Sequence, residues 1–279
     1  MLRLPRLYAI VDAAFFDCSE KLMAFAQALA AGGCTLLQCR NKSGNARVML
    51  EQARELRRCF PSQTQNPHLS QNRGEVGPPT FEKIESQNPH PFDSPSLRSG
   101  SLRAGSVAKS ATKVGQPPSV FPPFENREGW DSLSVDNSVR LIMNDRADLC
   151  LAAEFDGVHV GQEDLSAEAV RKIIGPERWL GVSTHNPEQL READLTSADY
   201  LAIGPVFATS SKERPDPVVG LEGVRRARQL TRKPLVAIGG ITRANAASVI
   251  EAGADSVAVI SDLLRDPRKS AEEFLRILR

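Results

Sequence analysis

Apolar residues recur along this chain with two alternating periods. Short runs rich in aliphatic residues read as strands apolar on both faces: RLYAIVD (6–12), TLLQCR (35–40), RLIMND (140–145), GVHV (157–160), WLGVST (179–184), YLAIGPV (200–206), PLVAIGG (234–240) and SVAVIS (256–261). Between them, apolar residues recur at i, i+3, i+4 and i+7, as in Leu22, Phe25, Ala26 and Leu29, the signature of amphipathic helices. Ser19, Ser166, Asn186 and Thr242 act as helix start signals, and Gly32, Gly175 and Gly253 stand at helix ends. Eight strand–helix pairs in roughly 200 residues predict an α/β fold of the (β/α)8 TIM-barrel type near its lower size limit. A doubly wound open sheet is the rival. It would want a GxGxxG turn after the first strand, and none is there.

The regular pattern breaks at residue 61 and resumes after 138. This stretch holds eleven of the nineteen prolines, with dense Ser, Asn and Gln, and repeats QNPH at 65–68 and 87–90. It offers too little apolar surface to offset the entropy of ordering, so 61–138 is expected to be a long disordered insertion in a single-domain barrel. A docking motif around Phe121, Phe124 and Trp130 is the functional alternative. The insertion falls between helix 2 and strand 3, in a loop at the N-terminal face of a barrel and so remote from its chemistry.

The remaining composition is that of an ordinary globular protein of 279 residues, 41% hydrophobic and 25% charged. A formal net charge of +1 supplies no field for nucleic acid or a membrane surface, so any bound anion needs a local site. No segment reads as a signal peptide or a membrane span. Five cysteines, odd in number and without CxxC spacing, read as reduced thiols of a cytoplasmic protein. Small-molecule substrates are the expected partners; whether the chain forms a homo-oligomer is left open.

In a barrel, residues at strand C-termini converge on one mouth. Here these are Gln38, Arg40 and Lys42 after strand 2, Asn144 and Asp145 at strand 3, and Glu163 and Asp164 beyond strand 4. Ser183 and His185 end strand 5, Thr209, Ser211 and Lys212 follow strand 6, and Gly239-Gly240 and Ile260-Ser261 end strands 7 and 8. Singly, each has an ordinary structural explanation, and His159 within VHV reads as a satisfied buried group. Jointly they form a rim. Gly239-Gly240, with a helix start expected at Thr242, and Ser261 suit a phosphate monoester. Arg40, Lys42 and Lys212 opposite Asp145 and Asp164 suit a magnesium-bound diphosphate. Diphosphate displacement by a phosphorylated nucleophile is the chemistry this pairing suggests.

These motifs, QCRNK, ND at 144–145, DGVHVGQED, GVS, GPVFATSSK, IGGI and IS at 260–261, resemble the thiamine-phosphate synthase family across the chain outside the insertion. The resemblance implies Mg2+-dependent coupling of hydroxymethylpyrimidine diphosphate with hydroxyethylthiazole phosphate. It further implies that Gln38, Cys39, Arg40, Asn41, Lys42, Asn144, Ser183 and Lys212 hold the pyrimidine diphosphate, with Arg40, Lys42, Ser183 and Lys212 catalytic. Thr209, Ser210, Ser211, Gly240, Ile260 and Ser261 hold the thiazole phosphate, and Asp145 and Asp164 the metal. Cys39 and Asn41 are the intervening positions of an extended strand. A thiazole tautomerase-like paralogue and a non-catalytic phosphate-binding barrel are the alternatives. Neither needs the diphosphate half of the rim.

Overall fold

The computed structural model describes residues 2–61, 139–209 and 216–279. Eight parallel strands close on themselves in chain order: β1 (Leu7–Asp12), β2 (Leu36–Arg40), β3 (Arg140–Asn144), β4 (Gly157–Val160), β5 (Trp179–Thr184), β6 (Tyr200–Ile203), β7 (Leu235–Ile238) and β8 (Ser256–Val259). Each is followed by a helix: α1 (Ser19–Ala31), α2 (Ala46–Cys59), α3 (Ala147–Ala152), α4 (Ala167–Ile174), α5 (Pro187–Asp194), α6 (Gly220–Leu230), α7 (Ala246–Glu251) and α8 (Pro267–Ile277). The anticipated (β/α)8 barrel is thus found, with 61–138 entering between α2 and β3. Residues 62–138, on which the expectation of disorder falls, lie outside the described residues.

Strand alternation sorts the core into two layers. Leu7, Ala9 and Val11 of β1, Leu37 and Cys39 of β2, and Val158 and Val160 of β4 pack outward against the helices. Tyr8, Ile10, Leu36, Ile142, Tyr200, Ala202, Val236 and Ala258 fill the barrel interior. Small residues sit beside large ones across neighbouring strands, as in packed barrels. Gly181 is register partner to both His159 and Tyr200. A Cβ there would lie 2.2 Å from Tyr200 Cζ and 2.3 Å from His159 Nδ1, so only glycine leaves room for the two rings.

At the N-terminal face one device recurs three times. Asp156, Asp199 and Asp255 immediately precede β4, β6 and β8, and each carboxylate accepts the first free backbone N–H of the neighbouring strand: Leu141 at 2.7 Å, Leu180 at 2.7 Å and Leu235 at 2.8 Å. The same carboxylates bind an arginine from the preceding even-numbered helix: Arg57 at 2.8 Å, Arg171 at 2.6 Å and Arg228 at 2.8 Å. Each arginine also donates to carbonyls of the αβ loop, for example Arg171 to Gly175 and Arg178 at 2.8 and 2.7 Å. Helix, loop and two strands are tied through one charge pair and its hydrogen bonds to backbone, although Arg57 Nε in the first clamp is buried without a partner among the described residues.

The helix starts largely match expectation. Ser166 and Asn186 cap α4 and α5 through Ala169 and Gln189 N–H. The start expected at Thr242 is displaced. The Asn245 carboxamide accepts the Thr242 N–H at 2.8 Å, a turn intervenes, and α7 begins at Ala246. All five cysteines are free. Among the described residues no helix is long and apolar enough to cross a membrane.

Asp156 and Arg57 form the most enclosed of the three pairs, each about a tenth exposed. Removing one partner of such a pair leaves a buried charge and an unpaired N–H. Asp156→Ala is expected to lower unfolding free energy by about 3 kcal/mol, with Asp156→Asn intermediate, in urea titrations. A wild-type midpoint and slope for Asp156→Ala would show that the clamp contributes nothing.

Candidate active site

The inward positions at the C-terminal ends of the strands open into one cavity of about 900 Å³. Asp12 and Arg40, the last residues of β1 and β2, are register partners, and their side chains form an ion pair. Asp12 is buried and also accepts the Ala14 N–H at 3.1 Å, so it fixes the Arg40 guanidinium from below. Lys42, just beyond β2, places its ammonium 3.4 Å from Asp145. Asp145 adopts φ 62°, in the left-handed region, directly after β3, while its N–H donates to the His159 carbonyl at 2.8 Å. That turn aims its carboxylate across the mouth at Asp164, whose Oδ2 accepts the Gly161 N–H at 2.7 Å. Burial raises the Asp145 carboxyl above the usual range, Lys42 opposes this, and the like charge of Asp164 adds to it.

Below this charged rim runs a chain of buried polar groups. Gln38 Nε2 donates to the Tyr8 hydroxyl at 2.8 Å, and the Tyr8 and Tyr200 hydroxyls lie 3.2 Å apart. Tyr200 contacts His159 Nδ1 at 3.2 Å, and His159 Nε2 lies 2.8 Å from Ser183 Oγ. Five strands contribute to it. Burial pushes the Tyr8 and Tyr200 phenols up and lowers His159 to about 4.

Across the cavity, Gly239 and Gly240 take φ 99° and 63°. A Cβ on Gly240 would lie 2.6 Å from the Ala208 carbonyl, and one on Gly239 would lie 2.6 Å from Pro205 Cα. Glycine is required at both for conformation and for space. Ile260 caps a 3-10 turn at Ser261–Leu263. Among the described residues the Gly240 and Ser261 N–H groups donate no hydrogen bond, which leaves two donors beside the cavity. This is the arrangement of barrel phosphate sites, a glycine turn after β7 and a short extra helix after β8.

The Koribacter versatilis (strain Ellin345) thiamine-phosphate synthase is 47% identical over 280 residues, covering 99% of this chain and 97% of that protein. A thiamine-phosphate synthase of Moorella thermoacetica is 49% identical over 166 residues, 58% of this chain and 79% of its own. The chain belongs to the thiamine-phosphate synthase family. The profile of thiamine monophosphate synthase matches residues 130–263. A thiamine phosphate pyrophosphorylase from Pyrococcus furiosus superposes with a TM-score of 0.64 at 26% identity, covering 98% of this chain and 95% of that one.

Of the positions that resemblance to the synthases singles out, Gln38, Arg40, Lys42, Asn144, Asp145, Asp164, Ser183, Thr209, Gly240, Ile260 and Ser261 all line the one cavity. Ser210, Ser211 and Lys212 lie outside the described residues. Cys39 and Asn41 face away from the cavity, as the intervening positions of an extended strand should. Cys39 points into the layer between strands and helices, where burial pushes its thiol up to about 12. Asn41 turns away to bind Gln52 at 2.7 Å and the Ser43 N–H at 2.8 Å. The helix start expected at Thr242 is also not beside the cavity, since α7 begins four residues later. His159 is the satisfied buried group anticipated, both ring nitrogens being engaged.

Asp12, Tyr8 and Tyr200 were not anticipated. The signal was present: period two from Tyr8 through Ile10 places Asp12 inside, at the mouth. Tyr200 looked like the ordinary start of an apolar strand.

A histidine whose folded pKa of about 4 lies below its ordinary 6.5 favours the fold only while neutral. Between these values the unfolded chain binds the extra proton, so its contribution is full above pH 6.5 and is lost as pH falls towards 4. The loss is about 3 kcal/mol. Urea titrations from pH 7 to 4 are expected to show this slope in addition to that of the carboxylates, and His159→Gln to lack it. Parallel pH profiles for the two proteins would contradict the assignment.

Proposed function

We propose that this cavity couples 4-amino-2-methyl-5-hydroxymethylpyrimidine diphosphate to 4-methyl-5-(2-phosphooxyethyl)thiazole, giving thiamine phosphate and diphosphate. The observation that carries the reading is the division of one cavity into two unlike anion-binding halves. One half holds cations matched with carboxylates, and the other holds glycine-turn N–H donors. A lone phosphate binder or a tautomerase-like paralogue has no use for the charged half.

The charged half fits a divalent cation as well as a diphosphate. Burial, and after it the like charge of Asp164, disfavours ionisation of Asp145. Two hard oxygen donors, with both ring nitrogens of the neighbouring His159 engaged by Tyr200 and Ser183, suit Mg2+ better than a softer metal. Among the described residues no group of three or more such ligands exists, so further ligands would come from substrate oxygens and water. When bound, Mg2+ would supply charge compensation for the diphosphate as it leaves.

The chain's own residues do the rest. Arg40 and Lys42 are already paired with Asp12 and Asp145, so they are oriented before substrate arrives. As diphosphate departs from the pyrimidine methylene, its charge is met by these cations and by Lys212. The aminopyrimidine ring stabilises the resulting cation by resonance, and the thiazole nitrogen attacks the same carbon. No general base is needed. The residues contribute positioning and preorganised charge. Gln38, Asn144 and Ser183 hold the pyrimidine, and Thr209, Gly240 and Ser261 hold the thiazole phosphate.

The direct test mixes purified protein with both substrates and Mg2+ and measures thiamine phosphate. Asp145→Ala and Asp164→Ala are each expected to lower kcat/KM for the pyrimidine diphosphate at least about 100-fold. Thiazole phosphate affinity, read by calorimetry, should change less than about twofold, because its cradle is built from other strands. Normal turnover in both variants would remove the metal assignment, and absence of product with wild-type protein would remove the reaction.

A further inference from the structure

The buried polar chain beneath the rim has a direction, and the direction reaches the cavity. Gln38 Nε2 has only hydrogens to offer, so the Tyr8 oxygen accepts from it. The Tyr8 proton then turns to the Tyr200 oxygen, the one other partner of that hydroxyl among the described residues. Tyr200, having accepted, sends its own proton to His159 Nδ1. The imidazole therefore carries its hydrogen on Nε2 and gives it to Ser183 Oγ, 2.8 Å away. A doubly protonated ring would leave the Tyr200 proton without an acceptor in a wholly buried place. Ser183, having accepted, keeps its hydroxyl proton for whatever occupies the cavity that it lines.

We propose that Tyr8, Tyr200 and His159 are positioning residues that fix Ser183 as a hydrogen-bond donor towards the cavity, so that the site selects a heterocycle presenting a ring-nitrogen lone pair there. The proposal rests on the pyrimidine reading of this half of the cavity and adds the origin of its selectivity. Gly181 is part of the device, since any side chain there would drive apart the Tyr200 and His159 rings that hand the proton on. The packing is shared as well: the two rings lie tilted with centroids 5.5 Å apart, and Tyr8 meets Tyr200 edge-on at 6.3 Å. Rings held this way keep the contacts in register, and the direction of the chain is set by the Gln38 amide group that donates into it.

Two measurements on the full-length protein test it. In 15N-histidine-labelled protein, long-range nitrogen–proton spectra should show His159, assigned by its absence in His159→Gln, as the Nε2–H tautomer alone. Tyr200→Phe removes the donor to Nδ1, and a mixture of tautomers should appear. An Nδ1–H tautomer in the wild type overturns the proposal whether or not the enzyme couples its substrates.

In kinetics, His159→Leu should raise KM for the pyrimidine diphosphate about tenfold or more with a smaller change in kcat. His159→Gln, which can accept from Tyr200 and donate to Ser183, should return KM to within about threefold of wild type. A pyrimidine analogue with one ring nitrogen replaced by C–H should bind worse to wild type, and Ser183→Ala should erase that difference. Equal losses for His159→Leu and His159→Gln overturn the positioning role. If His159→Leu does not fold, Tyr200→Phe and the spectra decide. The anticipated tautomer in a protein that makes no thiamine phosphate would instead sink the pyrimidine reading.

Discussion

A closed parallel barrel with a charged, polar mouth keeps its ties at the opposite rim, and here three aspartate–arginine clamps join β3 to β4, β5 to β6 and β7 to β8 there. Each carboxylate takes one strand-edge N–H and one guanidinium, and each guanidinium takes loop carbonyls in turn. The interactions are directional, and the Asp156–Arg57 pair is also well shielded, so they help specify which strand lies beside which as well as adding stability. With the lower rim pinned, the upper ends of the same strands can hold paired charges and glycine turns that contribute little to folding. The barrel separates stability from chemistry along one axis.

The upper rim shows the same economy with charge. Arg40 and Lys42 do not wait as free cations, because Asp12 and Asp145 already hold them. The pairing keeps the mouth close to neutral and spares substrate binding the cost of ordering two long side chains. It also means that Asp145 faces in two directions, towards Lys42 and towards Asp164. The balance among these three groups shifts whenever an anion or cation enters.

How much of this was legible in the sequence depended on periodicity. Period two and period 3.6 alternated cleanly enough to read eight strands, eight helices and the barrel, because each strand buries both faces. Cavity residues at strand ends followed from the same alternation, which is why Gln38, Arg40, Asn144 and Ser183 could be placed from their spacing. Asp12 does not stand out in the sequence, because a single acid after an apolar run resembles a turn residue. The helix start at Thr242 was misplaced because Asn245, three residues on, offers a competing cap, and local propensity does not rank the two. The Tyr8–Tyr200 contact spans 192 positions of sequence and no local pattern announces it. The clamps were visible as the repeated FDG, ADY and ADS before three strands. Their meaning emerges only when alternate strand–helix pairs are superposed in space.

The first clamp has a topological consequence. Arg57 and the Phe60 carbonyl that it binds close α2, while the Leu141 N–H opens β3, and Asp156 joins both sides. Phe60 and Val139, flanking the junction, are buried in the core. The end of α2 and the start of β3, far apart in sequence, are therefore held to each other by noncovalent bonds, so the two points where the chain leaves and re-enters the barrel form one junction.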